Sequence, residues 1–260
     1  MQKDSATRTI TVAVVLCIIC SVLVTASAVL LREKQSINKQ LDVKKNLLLA
    51  SGLLKSSKAT EEEINQAYQA VKGEIVDLET GEPVDQFSLD EFDQKKMAKD
   101  PKQNYRIPDG KDKGNIKFRS KYAVAYRILK EGKTSMLVLP VNGKGLWSTL
   151  YGFIALSPDT KIIKGIGFYE HAETPGLGGE VDNELWKKQW IGKTAMNDKY
   201  EPIFQVNKGQ VTPTTPDPDS KVDGLSGATI TSNGVTGLVQ YWLGDDAFGP
   251  YLAKVRNSQL

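Results

Sequence analysis

Histidine is almost missing from this sequence: His171 is the single one in 260 residues. Zinc sites built from two or three histidines are therefore excluded, and a catalytic triad would have to be assembled around that one side chain. Cysteine is nearly as scarce. Cys17 and Cys20 cannot by themselves ligate a four-cysteine iron–sulfur cluster, and no cysteine follows them, so the rest of the chain has neither a disulfide nor a thiolate nucleophile. An excess of charge is also lacking, with 34 basic against 31 acidic residues and a net charge of +3. A nucleic-acid binder would show a strongly basic domain. A dinucleotide fingerprint followed by its acidic residue is absent, and Gly143-x-Gly145 is too short to be a phosphate loop. What remains is ordinary globular composition, 40% hydrophobic and 25% charged, which excludes global disorder.

The hydrophobic residues are unevenly placed. From Ile10 to Leu31 there is no charged residue. At about 1.5 Å per residue, a helix over that run covers the roughly 30 Å hydrocarbon core of a bilayer. Ala26-Ser27-Ala28 fits a signal-peptidase pattern, but signal-peptide apolar regions run about 7–15 residues and this one continues past the site, so an uncleaved single-pass anchor is expected. Cys17 and Cys20 sit about one turn apart in it and read as small apolar packing residues. With no charge in 10–31, this helix is not expected to conduct ions. Lys3 and Arg8 flank it on one side and Arg32, Lys34, Lys39, Lys44 and Lys45 on the other, which counted naively favours a cytoplasmic C-terminal part. That count is weak, because long domains translocate despite flanking charge.

The expected organisation is a short tail (1–9), a transmembrane helix (10–31), a helical connector (32–72) and a soluble domain (73–260). In the connector, a first helix ends near Gly52, and Thr60-Glu61-Glu62-Glu63 is a capping box ahead of Ile64, Ala67, Tyr68 and Val71 at helical spacing. Residues 73–115 read as a polar insertion or peripheral segment broken by Pro83, Pro101, Pro108 and Gly110. The basic stretch 95–121 has almost no interleaved aromatics and reads as a solvated face. Tyr122–Leu129, Met136–Val141, Tyr151–Leu156 and Lys161–Tyr169 are strand-like runs separated by turn signals, so the fold class is α+β with an antiparallel sheet and flanking helices. Asn183–Trp190 reads as a short amphipathic helix and the proline-rich 212–220 as a loop.

Chemistry concentrates between Asp223 and Trp242. Val235, Leu238, Val239 and Trp242 recur at helical spacing, so a helix starts near Ser232, preceded by Ser226-Gly227-Ala228-Thr229. Small side chains let a backbone approach a ligand, and a helix N-terminus offers free N–H groups and partial positive charge. The segment is either an anion or phosphate site or an ordinary Ser/Thr cap.

Asp223-x-x-Ser226-Gly227-Ala228-Thr229 matches the D-x-x-[ST]-G-A-[ST] motif of covalent flavin-carrier domains. With Gly145-Leu146-Trp147-Ser148, His171-x-Glu173-Thr174-Pro175-Gly176-Leu177-Gly178 and the N-terminal anchor in the same order, the chain resembles the C subunits of sodium-translocating NADH:quinone oxidoreductases. The related G subunits of Rnf electron-transport complexes tend to be shorter in the centre, so 73–115 favours the sodium pump. The resemblance implies FMN esterified through its phosphate to Thr229 by a separate flavin transferase that uses FAD, with Ser226, Gly227 and Ala228 around it. It implies Glu173, Thr174, Leu177 and Gly178 as ring wall, with the loop's N–H groups reaching the flavin, and Leu146 and Trp147 as packing. Asp223 would serve transferase recognition or contact a metal during transfer, or is a turn aspartate. His171 is expected to be structural, and Trp186, Trp190 and Trp242 to pack the core.

The resemblance further implies a bacterial inner-membrane protein with an exported, periplasmic flavin domain, against the naive charge count. It would relay single electrons between membrane, flavin and iron–sulfur subunits, with NADH oxidised on another subunit and no metal of its own. Alternatives are an Rnf-type ferredoxin–NAD electron-transport subunit and an anchored, non-catalytic module holding a free phosphate ligand.

Overall fold

The computed structural model describes residues 6–257 of the chain; Lys3, counted above in the flanking charge, lies outside them. The chain divides into two compact units, one ending at Val43 and one beginning at Lys44. The first is most of helix α1 (Ala6–Ala50), which holds a span long and apolar enough to cross a membrane, none of it buried against protein, and compatible with a single-pass anchor. Two of its hydroxyls bond back along the helix, as suits hydrocarbon: Thr11 donates to the Thr7 carbonyl and Ser27 to that of Leu23, each at 2.8 Å. Cys17 and Cys20 are free thiols on its exposed surface.

The second unit opens with the last turns of α1, where Leu47, Leu48 and Ala50 are buried. Helix α2 (Glu61–Tyr68) begins at the expected capping box: Thr60 Oγ1 accepts from the Glu63 N–H and the Glu63 carboxylate accepts from the Thr60 N–H. It is shorter than its apolar spacing suggested, because Val71 opens strand β1 (Val71–Asp77) instead. Then follow α3 (Gln94–Lys99), a ribbon of β2 (Asn104–Arg106) and β3 (Phe118–Ser120), and the strands β4 (Tyr122–Lys130), β5 (Lys133–Lys144), β6 (Thr149–Leu156) and β7 (Ile163–Glu170). After them come α4 (Glu184–Lys188), the short parallel pair β8 (Gln205–Val206) and β9 (Lys221–Val222), α5 (Thr229–Trp242) and α6 (Gly249–Arg256).

The main sheet is antiparallel, in the order β1-β4-β5-β6-β7. Its last four strands form a meander, and the α+β expectation holds; two turns fall at the signals Glu131-Gly132 and Ser157-Pro158-Asp159, but Asn142-Gly143, read as the turn between, is paired inside β5 and the chain turns at 145–148 instead. Pro140 sits inside β5, where it cannot donate to a ladder. The sheet accommodates it by splitting: β4 pairs with β5 only as far as Tyr126 opposite Val138, and beyond that point β5 pairs with β6 alone.

Helix α5 packs on β5, burying Val235, Leu238, Val239 and Trp242 in the same core cluster as Val141, Leu150 and Ile154. Part of the stretch read as a peripheral insertion is integral to this body. β1 is an edge of the main sheet, Ile107 lies in the core, and the Gly114 carbonyl accepts from the Lys144 N–H. Residues 212–220 stay out of the sheet, ending in a single 3-10 turn.

Candidate functional site

Helix α5 starts at Thr229, one turn earlier than its apolar periodicity indicated. The reason is that Thr231 and Ser232 are buried polar residues, invisible to a hydrophobic pattern. The N-cap is consequently Ala228, and no side chain caps the helix. Ser232 points back instead, its hydroxyl accepting from the Leu225 N–H at 3.1 Å. A helix that lacks a cap leaves first-turn N–H groups oriented towards an anion. Gly227 precedes it at φ +69°, and a Cβ there would stand 2.8 Å from Leu177 Cδ2. Ser226, Gly227 and Thr229 are exposed and Ala228 is buried, so the Thr229 hydroxyl is presented to solvent at the first helical position. The simple Ser/Thr-cap alternative is therefore not what the segment does, and a phosphate fits the arrangement that is present.

A cleft of about 570 Å³ adjoins Thr229, lined among others by Leu185, Trp186, Gln189, Asp223, Ser226 and Gly227. Asp223 is its frame. Its carboxylate accepts from the Val211 N–H at 2.7 Å and the Gln189 side-chain amide at 3.0 Å, and its carbonyl accepts from the Trp186 indole at 2.8 Å. Asp223 therefore fixes the entry to the Ser226–Thr229 turn against α4 and the 207–211 loop.

On the other side of Thr229 lies Glu173, which is 5% exposed. Its carboxylate accepts from the N–H groups of Leu146, Trp147 and Ser148 at 3.0–3.1 Å, from Ser148 Oγ at 3.2 Å and from Thr231 Oγ1 at 2.6 Å. Burial alone would push this carboxyl up; the Thr231 hydroxyl and the three backbone donors outweigh it and hold it below the usual glutamate value. Gly178 and Gly145 make room for that carboxylate, since a Cβ on either would lie under 3 Å from it.

Leu146, Trp147, Leu177 and Ile230 are 44%, 67%, 43% and 57% exposed, an apolar rim around the helix start that the protein's own core leaves uncovered. Trp147 is thus not a core residue, whereas Trp186, Trp190 and Trp242 are buried. The 174–179 loop keeps some N–H groups for itself: those of Leu177 and Gly179 donate to the Thr174 carbonyl. Thr174 is exposed beside them. His171 is bound by Asp182 through Nε2 at 2.8 Å and accepts from the Glu173 N–H through Nδ1 at 3.2 Å, so it serves as a brace of this loop.

Sequence reasoning missed Thr231, Ser148, Gln189, Asp182 and Ile230 as parts of the site. A signal existed for Thr231 alone, a second hydroxyl two residues past the motif on a helix otherwise apolar on its buried side. Among the described residues no group of three or more acidic, histidine or cysteine side chains could hold a metal ion.

Residues 145–244 match the FMN-binding domain family. The C subunit of the Na(+)-translocating NADH-quinone reductase from Haemophilus ducreyi is 44% identical, over 98% of this chain and 96% of its own length. Its Pseudomonas aeruginosa counterpart is 41% identical over 99% of each. The crystal structure of Shewanella oneidensis NqrC superposes with a TM-score of 0.77 at 30% identity, covering 85% of this chain and 99% of that one.

Proposed function

The chain belongs to the family of C subunits of the Na(+)-translocating NADH-quinone reductase, and on that premise we propose that Thr229 tethers an FMN covalently for single-electron relay between partner subunits. Membership makes it part of an oxidoreductase complex and gives it an FMN-binding domain. The observation that carries the finer reading is the uncapped start of α5, which presents the Thr229 hydroxyl at a position where phosphate oxygens meet free N–H groups.

In the attachment step, the Thr229 oxygen forms a bond to the FMN phosphorus of FAD as the bond to AMP breaks. The hydroxyl proton is lost and AMP departs. An external flavin transferase supplies the base. Bound FMN supplies reversible one-electron chemistry. The protein's part is positional: the α5 N-terminus holds the phosphate, Gly227 and Leu177 shape the turn, and the rim of Leu146, Trp147, Leu177 and Ile230 offers the ring an apolar surface that remains open to a redox partner. Asp223, locked to Gln189 and Val211, keeps the motif in the shape a transferase must recognise.

The soluble body is assigned to the periplasmic side of a bacterial inner membrane. Reporter fusions at the C-terminus test this, with activity restricted to a periplasmic reporter as the expected result. The tether is tested by in-gel flavin fluorescence of the denatured protein, with and without a co-expressed transferase. Wild type and Thr229→Ser should fluoresce only with the transferase, and Thr229→Val should stay dark in both. A dark wild-type band beside an active transferase would overturn the reading.

A further inference from the structure

Three separate segments meet on one buried carboxylate. The β5–β6 turn contributes the N–H groups of Leu146, Trp147 and Ser148 and the Ser148 hydroxyl; α5 contributes the Thr231 hydroxyl; the carboxylate itself stands on the 171–179 loop. These same segments carry the apolar rim: Leu146 and Trp147 on the turn, Leu177 on the loop, and Ile230 on the helix between Thr229 and Thr231. A flavin held at Thr229 would have Glu173 behind the surface it rests on, not as part of that surface.

We propose that Glu173 is a positioning residue for the tethered flavin, whose buried ionised carboxylate ties the three rim segments together and whose fixed negative charge opposes electron entry, keeping the flavin a low-potential carrier. This rests on the tether reading above. Among the described residues no ion pair reaches the carboxylate; hydrogen-bond donors neutralise it directly, and protonated His171, two residues away, is stabilised in part by the same charge. Being nearly inaccessible, that charge is screened by salt far less than a surface carboxylate, and the low local dielectric lengthens its reach. Reduction adds negative charge to the ring, so a buried anion disfavours the reduced form; no proton or bond of Glu173 changes in the process.

Glu173→Gln and Thr231→Val together separate the two roles. The amide oxygen still accepts from Trp147 and Ser148, but an amide nitrogen in place of the other oxygen cannot accept from the Leu146 N–H or the Thr231 hydroxyl, and Thr231 keeps a bond only by turning to accept from that nitrogen. The clamp loses the Leu146 bond, has the Thr231 bond reversed, and the charge is gone. Thr231→Val removes a donor and keeps the charge, now less neutralised. Full-length wild type and both variants would be made with the transferase, scored for covalent fluorescence, and titrated for the flavin midpoint potential at low and high salt. Glu173→Gln should raise the oxidised flavin's tendency to be reduced at least tenfold at fixed ambient potential, about 59 mV for a one-electron couple, at both salt concentrations. Thr231→Val should leave the midpoint unchanged or move it negative.

An unmoved midpoint in flavinylated Glu173→Gln, or an equal positive shift in Thr231→Val, overturns the proposal. Should Glu173→Gln fail to fold, a positive shift in Thr231→Val alone still overturns it. A dark wild-type band would sink the tether reading and this proposal with it, an outcome separate from a flavinylated variant whose potential stays put.

Discussion

At the scale of single residues, Gly227 carries the sharpest constraint. Its φ of +69° lies in the left-handed region, and Leu177 already occupies the space a methyl group would take. Gly227→Ala should therefore cost about 1–2 kcal/mol from backbone strain alone. It should also lower the flavinylated fraction, read as covalent fluorescence per mole, because the phosphate turn is displaced. Normal fluorescence and an unchanged melting temperature would show that the turn tolerates a Cβ.

His171 offers a cleaner titration, being the single histidine. Its hydrogen bond to Asp182 raises its pKa above the ordinary 6.5. A raised folded-state value means that the pair's stabilisation is fully present below about pH 6.5 and is lost as pH climbs through the folded value. Protonation of Nδ1 would cost the bond from the Glu173 N–H, a weaker contact at 3.2 Å. An NMR titration should give one imidazole midpoint above 6.5, lowered in Asp182→Asn; an equal midpoint in both would remove Asp182 as the cause. Glu173 has the opposite sign: its lowered value makes its contribution present above about pH 4.5 and lost as pH falls through the folded value. The Ser226–Thr229 turn was legible because four adjacent small residues mark it locally. The Glu173–Thr231 bond spans 58 positions, and nothing in local spacing announces it.

At the scale of elements, α5 is the piece on which the site depends. Its Gly234 faces the Lys144 carbonyl so closely that a Cβ has no room, which sets how near the helix lies to the end of β5. In an exposed helix, Gly→Ala gains about 1 kcal/mol of helix propensity. Here the gain should be reversed, with Gly234→Ala net destabilising by about 1–3 kcal/mol as the helix is pushed from the strand. The neighbouring exposed Asn233→Ala should be neutral or mildly stabilising. Urea midpoints of the two variants check this, and a stabilised Gly234→Ala would mean the close approach is not a constraint.

The four meander strands were readable because β-branched and aromatic runs alternate with strong turn signals. β1 was not, since Lys72, Glu74 and Asp77 mask it and its strand character comes from pairing with β4. The β2–β3 ribbon, three residues a side, has too little pattern of its own to be seen. The helix start at Thr229 was obscured because its first turn is held by buried polar contacts, to Glu173 and to the Leu225 N–H.

At the scale of the whole molecule, the chain separates two physical tasks. The unit ending at Val43 exposes its apolar side chains over a span that suits a bilayer, while every residue of the main hydrophobic cluster lies between Val76 and Leu252. The body from Lys44 onward therefore keeps the whole sheet, the α5 covering, the Glu173 clamp and the Thr229 turn without help from the apolar span. It also retains the buried Leu47, Leu48 and Ala50, the last of which lies against Gly165 and Gly167 of β7. Residues 44–260 expressed behind a cleavable export leader should accumulate as a soluble protein, melt within a few degrees of the full chain in detergent, and become flavinylated when the transferase is exported with it. A truncated chain beginning at residue 52 should melt lower, because it loses those three buried side chains, with each leucine worth roughly 1–3 kcal/mol. Membrane fractionation, thermal melting and in-gel fluorescence on the same preparations separate the possibilities. A 44–260 protein that aggregates would show that the apolar unit contributes to folding as well as to anchoring. A soluble but dark one would mean that the transferase needs the membrane-bound form, placing the recognition surface beyond the Asp223–Thr229 turn.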